Sequence, residues 1–227
     1  MPRQPKRKAN LDDGCGPELV VGAEFDGIFD IPIVEPPSSI LIPSGMTPYS
    51  RAGRDSTGNE MCVFFEKDSE FADVLIDPDA CLRKIGHFPA IAQVDCSLYV
   101  DMPLSAQITN VYRSRAIASY WQRQGANVWP LARWGDERTY TTDYFPQPLA
   151  FAGIRHRSPV VVGAYGVRKH RDDLRHFCEG FEALINYVAP SIVLVYGRSR
   201  RDLYGHLRSK TEIHEYEDWT RRMRAGA

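Results

Sequence analysis

Five short apolar runs, each stopping at a cluster of charged, hydroxyl or glycine residues, constrain the fold of this chain more than any other feature. Met61–Phe65 stops at Glu66-Lys67-Asp68, and Ile91–Val94 at Asp95-Cys96-Ser97-Leu98-Tyr99-Val100-Asp101. Val128–Ala132 stops at Arg133-Trp134-Gly135-Asp136-Glu137-Arg138, Val160–Ala164 at Tyr165-Gly166, and Ile192–Val195 at Tyr196-Gly197-Arg198-Ser199. Runs such as Val160-Val161-Val162 and Ile192-Val193-Leu194-Val195 do not alternate apolar with polar. That is the pattern of strands buried on both faces of a parallel sheet. If the runs are parallel, all five polar clusters lie along one sheet edge, where α/β proteins place their ligands.

Helical patterns fill the intervals. Asp77-Pro78 reads as an N-cap followed by proline in the first turn, opening a short helix that ends at Gly86. A longer helix is expected over roughly 102–124, with Asp101 as N-cap and Gly125 as its stop. Leu174, Phe177, Phe181, Leu184, Ile185 and Val188 recur at helical spacing over about 171–188. A helix at 199–208 and a short strand near 211–214 complete the series. Strands alternating with helices indicate βαβ units. The expected fold is therefore α/β: a three-layer α/β/α arrangement with a mostly parallel sheet of about six strands. An incomplete β/α barrel is the alternative, because both are built from the same local units. A full eight-unit barrel typically needs about 250 residues, more than this chain has.

The domain reading follows composition. Residues 1–24 form a flexible arm containing Arg3, Lys6, Arg7 and Lys8, and 217–227 a basic tail with Arg221, Arg222 and Arg224. Residues 25–216 make one α/β domain, with a first strand at 27–34 and a Pro-, Ser- and Gly-rich excursion over 35–58. A net charge of −1 excludes a whole-molecule field that would draw the protein to nucleic acid. No apolar segment approaches the roughly 18 to 20 residues of a membrane span, and no signal-peptide core follows the basic arm. A cytoplasmic protein is expected. The five scattered cysteines form no C-x-x-C pair and argue against a disulfide framework or a cysteine zinc site.

The strand-end clusters carry the candidate chemistry. Asp95, Asp136 and Glu137 are carboxylates on neighbouring turns, suited to general acid–base work, and Asp95 with Asp136 would hold Mg²⁺ if a metal is used. The structural alternative gives Asp101 a capping role and pairs Glu137 with Arg133 or Arg138. Asp95 and Asp136 are free of an evident cap role. Arg133 follows a buried strand, where a cation needs an anion, and Trp134 beside it offers a stacking face. Tyr196, Gly197, Arg198 and Ser199 form a strand–turn–helix junction that can cradle phosphate, with Arg200 and Arg201 following. Ser97, Tyr99, Asp101 and Tyr165 share the same edge. Gln107 and Asn110, one turn apart on the long helix, could bond a planar group, with Arg113 next along. His156 and His170 are the histidines placed closest to that edge. No P-loop, G-x-G-x-x-G, G-x-S-x-G or H-E-x-x-H pattern occurs.

The stretch Asp95-Cys96-Ser97-Leu98-Tyr99-Val100-Asp101-Met102-Pro103 is followed by Gln107, Asn110, Tyr112-Arg113, Arg133-Trp134-Gly135-Asp136-Glu137 and Val195-Tyr196-Gly197. Over roughly residues 60–200 this pattern resembles the bacterial and phage family called domain of unknown function 4417. The resemblance implies an origin in a phage, prophage or other mobile element, and it names no reaction. Two classes of function remain open. One is an enzyme acting on a nucleotide or nucleic-acid end. The other is a non-catalytic accessory protein that binds nucleic acid or a protein partner.

Overall fold

The computed structural model of the chain describes residues 16–53, 58–164, 171–198 and 202–225. A two-residue hairpin, β1 (Phe25–Asp26) and β2 (Ile31–Pro32), is followed by β3 (Gly45–Pro48) and β4 (Glu60–Val63). Helices α1 (Ala72–Ile76) and α2 (Pro78–Ile85) lead to β5 (Ala90–Ala92), α3 (Leu104–Arg123) and β6 (Val128–Trp129). After the single turn α4 (Glu137–Tyr140) come β7 (Val160–Gly163), α5 (Arg171–Tyr187), β8 (Ile192–Tyr196), β9 (Glu212–Tyr216) and α6 (Trp219–Ala225).

Strands β3-β4-β5-β6 form one parallel ladder and β7-β8-β9 another. A parallel bridge between Leu131 and Val161 joins them, with Ala132 N–H donating to Val161 O at 3.0 Å and Val161 N–H to Pro130 O at 2.9 Å. Spatial order thus repeats chain order. Cys62, Phe64, Ile91, Val94 and Val128 pack with Ile85 of α2 and Ile117 and Trp121 of α3. Val160, Val162, Val193 and Val195 pack with Phe177, Phe181, Leu184 and Val188 of α5. The alternate residues Met46, Met61, Val63, Ala92, Trp129, Leu131, Val161 and Leu194 gather in a third cluster, to which none of the helices contributes a buried apolar side chain among the described residues. Strands β4 and β8 are four positions apart, which in a flat sheet is about 19 Å. Yet the rings of Phe65, just past β4, and Tyr196 of β8 stack 5.1 Å apart. The sheet therefore curls back on itself without closing into a barrel.

The α/β class and the parallel strands hold, and all five apolar runs contain strands. Several local expectations change. The supposed first strand at 27–34 is the turn and second half of a hairpin. The 35–58 excursion contributes β3, the edge strand of the four-stranded ladder. Asp101 does not cap α3: it lies outside the helix with φ of 67°, and Pro103 occupies the cap position without a side-chain bond. Over 202–208 a 3₁₀ turn, Gly205–Leu207, replaces the expected helix, whose first residues 199–201 lie outside the described set. The expected cap at Asp77 is present, its carboxylate accepting from Ala80 N–H at 2.8 Å. Beyond β9, α6 turns back to the first two strands of the four-stranded ladder, where Arg222 pairs with Glu60 of β4 at 2.9 Å.

Candidate site at the strand ends

The curl brings the C-terminal ends of the strands around one rim. A cleft of about 280 Å³ opens there. Leu98, Tyr99 and Val100 line it from the segment after β5, Ala132, Arg133, Trp134 and Gly135 from the segment after β6, and Val162 and Gly163 from β7. Asp173, His176 and Phe177 close it from the first turns of α5. Close packing shapes the rim: a Cβ on Gly163 would lie 2.5 Å from the Phe65 ring, and one on Gly135 would lie 2.6 Å from Gln107 Oε1.

Parallel register makes Asp95 and Arg133 neighbours, since Ile91 pairs with Val128 and each strand runs on to the same edge. Arg133 Nη1 donates to Asp95 Oδ2 at 3.0 Å. The carboxylate is 3% exposed, whereas the arginine side chain is 29% exposed and lines the cleft. Asp95 Oδ1 is buried with no hydrogen-bond partner among the described residues. Burial pushes the Asp95 carboxyl up to about 6; the Arg133 charge opposes this rise and Asp68 adds to it. Asp68 sits beside the pair and is bonded by Ser97, whose N–H donates at 3.1 Å and whose hydroxyl donates at 2.5 Å.

The polar line of α3 serves mainly to fix the loop after β5. Asn110 Nδ2 donates to Ser97 O at 2.8 Å and Gln107 Nε2 to Met102 O at 2.9 Å. Gln107 is fully buried, and its Oε1 is left without a partner against Gly135. Arg113 is half-buried and acts electrostatically on Cys96. Tyr99 is 59% exposed at the mouth of the cleft, and Asp101 is exposed.

The other two carboxylates have different positions from those expected. Asp136 caps α4 after all: Oδ1 accepts from Arg138 N–H at 3.1 Å, and Arg138 Nη2 reaches Oδ2 at 2.6 Å. Burial alone would raise the Asp136 carboxyl, but the side-chain and backbone bonds from Arg138 outweigh it and hold the group below the usual range. Sequence reading missed this because a one-turn helix leaves no periodicity to announce it. Glu137, half exposed, lies 3.5 Å from His176 Nδ1 and pairs with neither Arg133 nor Arg138. Asp95 and Asp136 are thus held by different arginines. Among the described residues no group of three or more His, Cys, Asp or Glu side chains converges as a metal site.

Trp134 is a core residue more than a stacking platform. It is 8% exposed, packs with Phe151, Phe177 and Phe181, and donates its indole N–H to His176 O at 3.0 Å. His176, which sequence reading passed over, lines the cleft from inside α5. Arg175 Nη2 contacts its Nε2 at 3.0 Å; a guanidinium only donates, so Nε2 accepts and Nδ1 carries the proton toward Tyr140 Oη at 3.0 Å. Tyr140 then donates to Glu179 at 2.7 Å, and Arg175 closes the ring on Glu179 at 3.1 Å.

Several expected site residues stand elsewhere. Tyr196 is 3% exposed, stacked on Phe65, and its hydroxyl accepts from Trp219 N–H at 3.0 Å, which places it in the core. Gly197 takes φ of 97°, and the N–H groups of Gly197 and Arg198 both donate to Tyr216 O at 2.9 Å, so they do not form an open nest. Arg198 is exposed. Tyr165, His170, Ser199, Arg200 and Arg201 lie outside the described residues. His156 sits before β7, at the opposite edge of the sheet. In the basic tail, Arg221 pairs with Asp218 at 3.6 Å and Arg222 with Glu60, so both act within the fold. Among the described residues no helix is long and apolar enough to cross a membrane.

The chain is similar to the Gene 1 protein of Mycobacterium phage D29, with 33% identity over 162 residues, and to the Gene 1 protein of Mycobacterium phage L5, with 32% identity over 166 residues. Each match covers 71% of this chain, 56% of the D29 protein and 66% of the L5 protein, so the chain spans less than two thirds of either relative. No solved structure matches it. The family described as "Domain of unknown function (DUF4417)" matches residues 23–217, well beyond the 60–200 core in which the resemblance was visible. With most of its length inside that match, the chain belongs to the DUF4417 family and has phage proteins among its relatives.

Proposed function

We propose that the strand-end cleft binds a small phosphate-bearing ligand, a nucleotide or the end of a nucleic acid, with Arg133 as its anion contact. One observation carries this reading. Arg133 projects from a buried strand end into the cleft, yet its one ion pair among the described residues uses a single N–H of the five a guanidinium carries. A guanidinium held by one bond can turn its planar fork of donors to a phosphate, whose geometry that fork matches. Asp95 stands directly behind that position, whereas Asp136 and Glu137 are engaged with Arg138 and His176.

Titration calorimetry of the protein against nucleoside phosphates and short oligonucleotides, beside an Arg133→Ala variant, tests the reading. At least one compound is expected to bind, with affinity falling about tenfold or more in Arg133→Ala, the scale of a charge-assisted bond. Absence of binding across the panel, or binding indifferent to Arg133, would refute it.

A further inference from the structure

We infer that an anion entering this cleft takes Arg133 away from Asp95, and that Asp95 accepts a proton from solvent as it lets go. The inference rests on the reading of the cleft as an anion site and adds its regulation. Among the described residues Asp95 and Arg133 are each other's one charged partner at hydrogen-bond distance, 3.0 Å apart. The arginine faces the cleft, while the carboxylate lies behind it, nearly sealed from water with Oδ1 unpartnered. An ionised carboxylate with a single donor is poorly compensated once that donor turns to a competitor. The balanced step is simple: the Arg133–Asp95 ion pair, a ligand anion and one solvent proton become an Arg133–anion pair and a neutral Asp95. No bond other than the O–H bond forms.

The charges around Asp95 favour this exchange. Asp68, from the turn after β4, repels the ionised form, and Arg133 is the opposing cation from beyond β6. Arg113 of α3 acts on the adjoining Cys96. From α5, Asp173 and His176 face the same cleft, with Glu137 beside His176. The Asp95 carboxyl, already raised to about 6 by burial, sets the range in which protonation can follow ligand occupancy near neutral pH.

The test uses the full chain and the phosphodiester of two thymidines, because neither its charge nor its bases titrate across this range. Binding is measured by calorimetry between about pH 5.5 and pH 8, in buffers of differing ionisation enthalpy. Affinity is expected to fall about tenfold or more over that interval, with uptake approaching one proton per ligand near pH 7. Asp95→Asn should bind at pH 8 about as well as the native protein at pH 5.5, with no slope and no uptake. His176→Gln should keep the slope whatever its affinity. A flat native profile without proton uptake, a slope retained in Asp95→Asn, or one lost in His176→Gln overturns the inference and leaves the anion site standing. The native proton count decides the matter if Asp95→Asn does not fold. Failure of the probe to bind any form at any pH removes site and inference together.

Discussion

Asp95 is a carboxylate that the fold keeps from water with a single bond to Arg133. Its folded value near 6 lies above the ordinary 3.8, so the folded chain holds this proton more tightly than the unfolded one. The ionised group therefore destabilises the fold; that effect is full above about pH 6 and vanishes as pH falls through about 4. Asp95→Asn should raise the unfolding free energy at pH 8 by on the order of 2 kcal/mol and change little at pH 4. Urea unfolding at both pH values checks this, and destabilisation at pH 8 would contradict it. Gly180 makes an opposite case. In mid-helix, alanine normally stabilises by roughly 0.5–1 kcal/mol. Here a Cβ would lie 2.2 Å from Trp134 Nε1, an atom inside the core. Gly180→Ala is expected to destabilise by about 1–3 kcal/mol, read from the denaturant midpoint, and a gain would show that the Trp134 ring has room to move.

Among the elements, α3 is fixed by a cation. Arg115 is buried and donates to Ala152 O at 2.9 Å, Leu131 O at 2.7 Å and Ala150 O at 3.2 Å, tying the helix to the end of β6 and the turn at Leu149–Phe151. Burial pulls its pKa down to about 9, with Asp26 opposing, so the charge persists at neutral pH. Arg115→Met leaves three carbonyls without that donor and should remove about 3 kcal/mol or more of stability by chemical denaturation. Arg115→Lys should not restore it, because an ammonium lacks the planar fork; full recovery would rule that geometry out as the cause. Elements with doubly buried strands or wide apolar stripes were legible in the sequence, as β7, β8 and α5 show. Strand β3 was not: Gly45 and Pro48 bound it, and an edge position alone makes that proline tolerable. Nor was α6, whose basic residues read as a solvated tail until Glu60 supplies a partner. For the site, the polar blocks and the common edge were legible. The Asp95–Arg133 pair depends on strand register, and His176 lies inside a helix rather than at its start, so neither could be read from spacing.

For the whole molecule, α6 joins the two ends of the curled sheet. Arg222 reaches Glu60 at the start of β4, while Trp219 N–H meets the Tyr196 hydroxyl at the end of β8. Removing residues 218–227 should therefore lower the thermal midpoint by several degrees. Arg224→Ala, in the same helix, should leave it unchanged. A truncated chain as stable as the native one would show these contacts to be incidental. The identity of spatial and chain order has a bearing on biosynthesis. Every parallel strand finds its template in the strand made just before it, so the ladder can be laid down in the order in which the ribosome delivers it. A nascent chain released only as far as β6 contains all four strands of the first ladder. The stacking of Phe65 on Tyr196 must wait for synthesis to pass β8, and until then the rim of the cleft is half built.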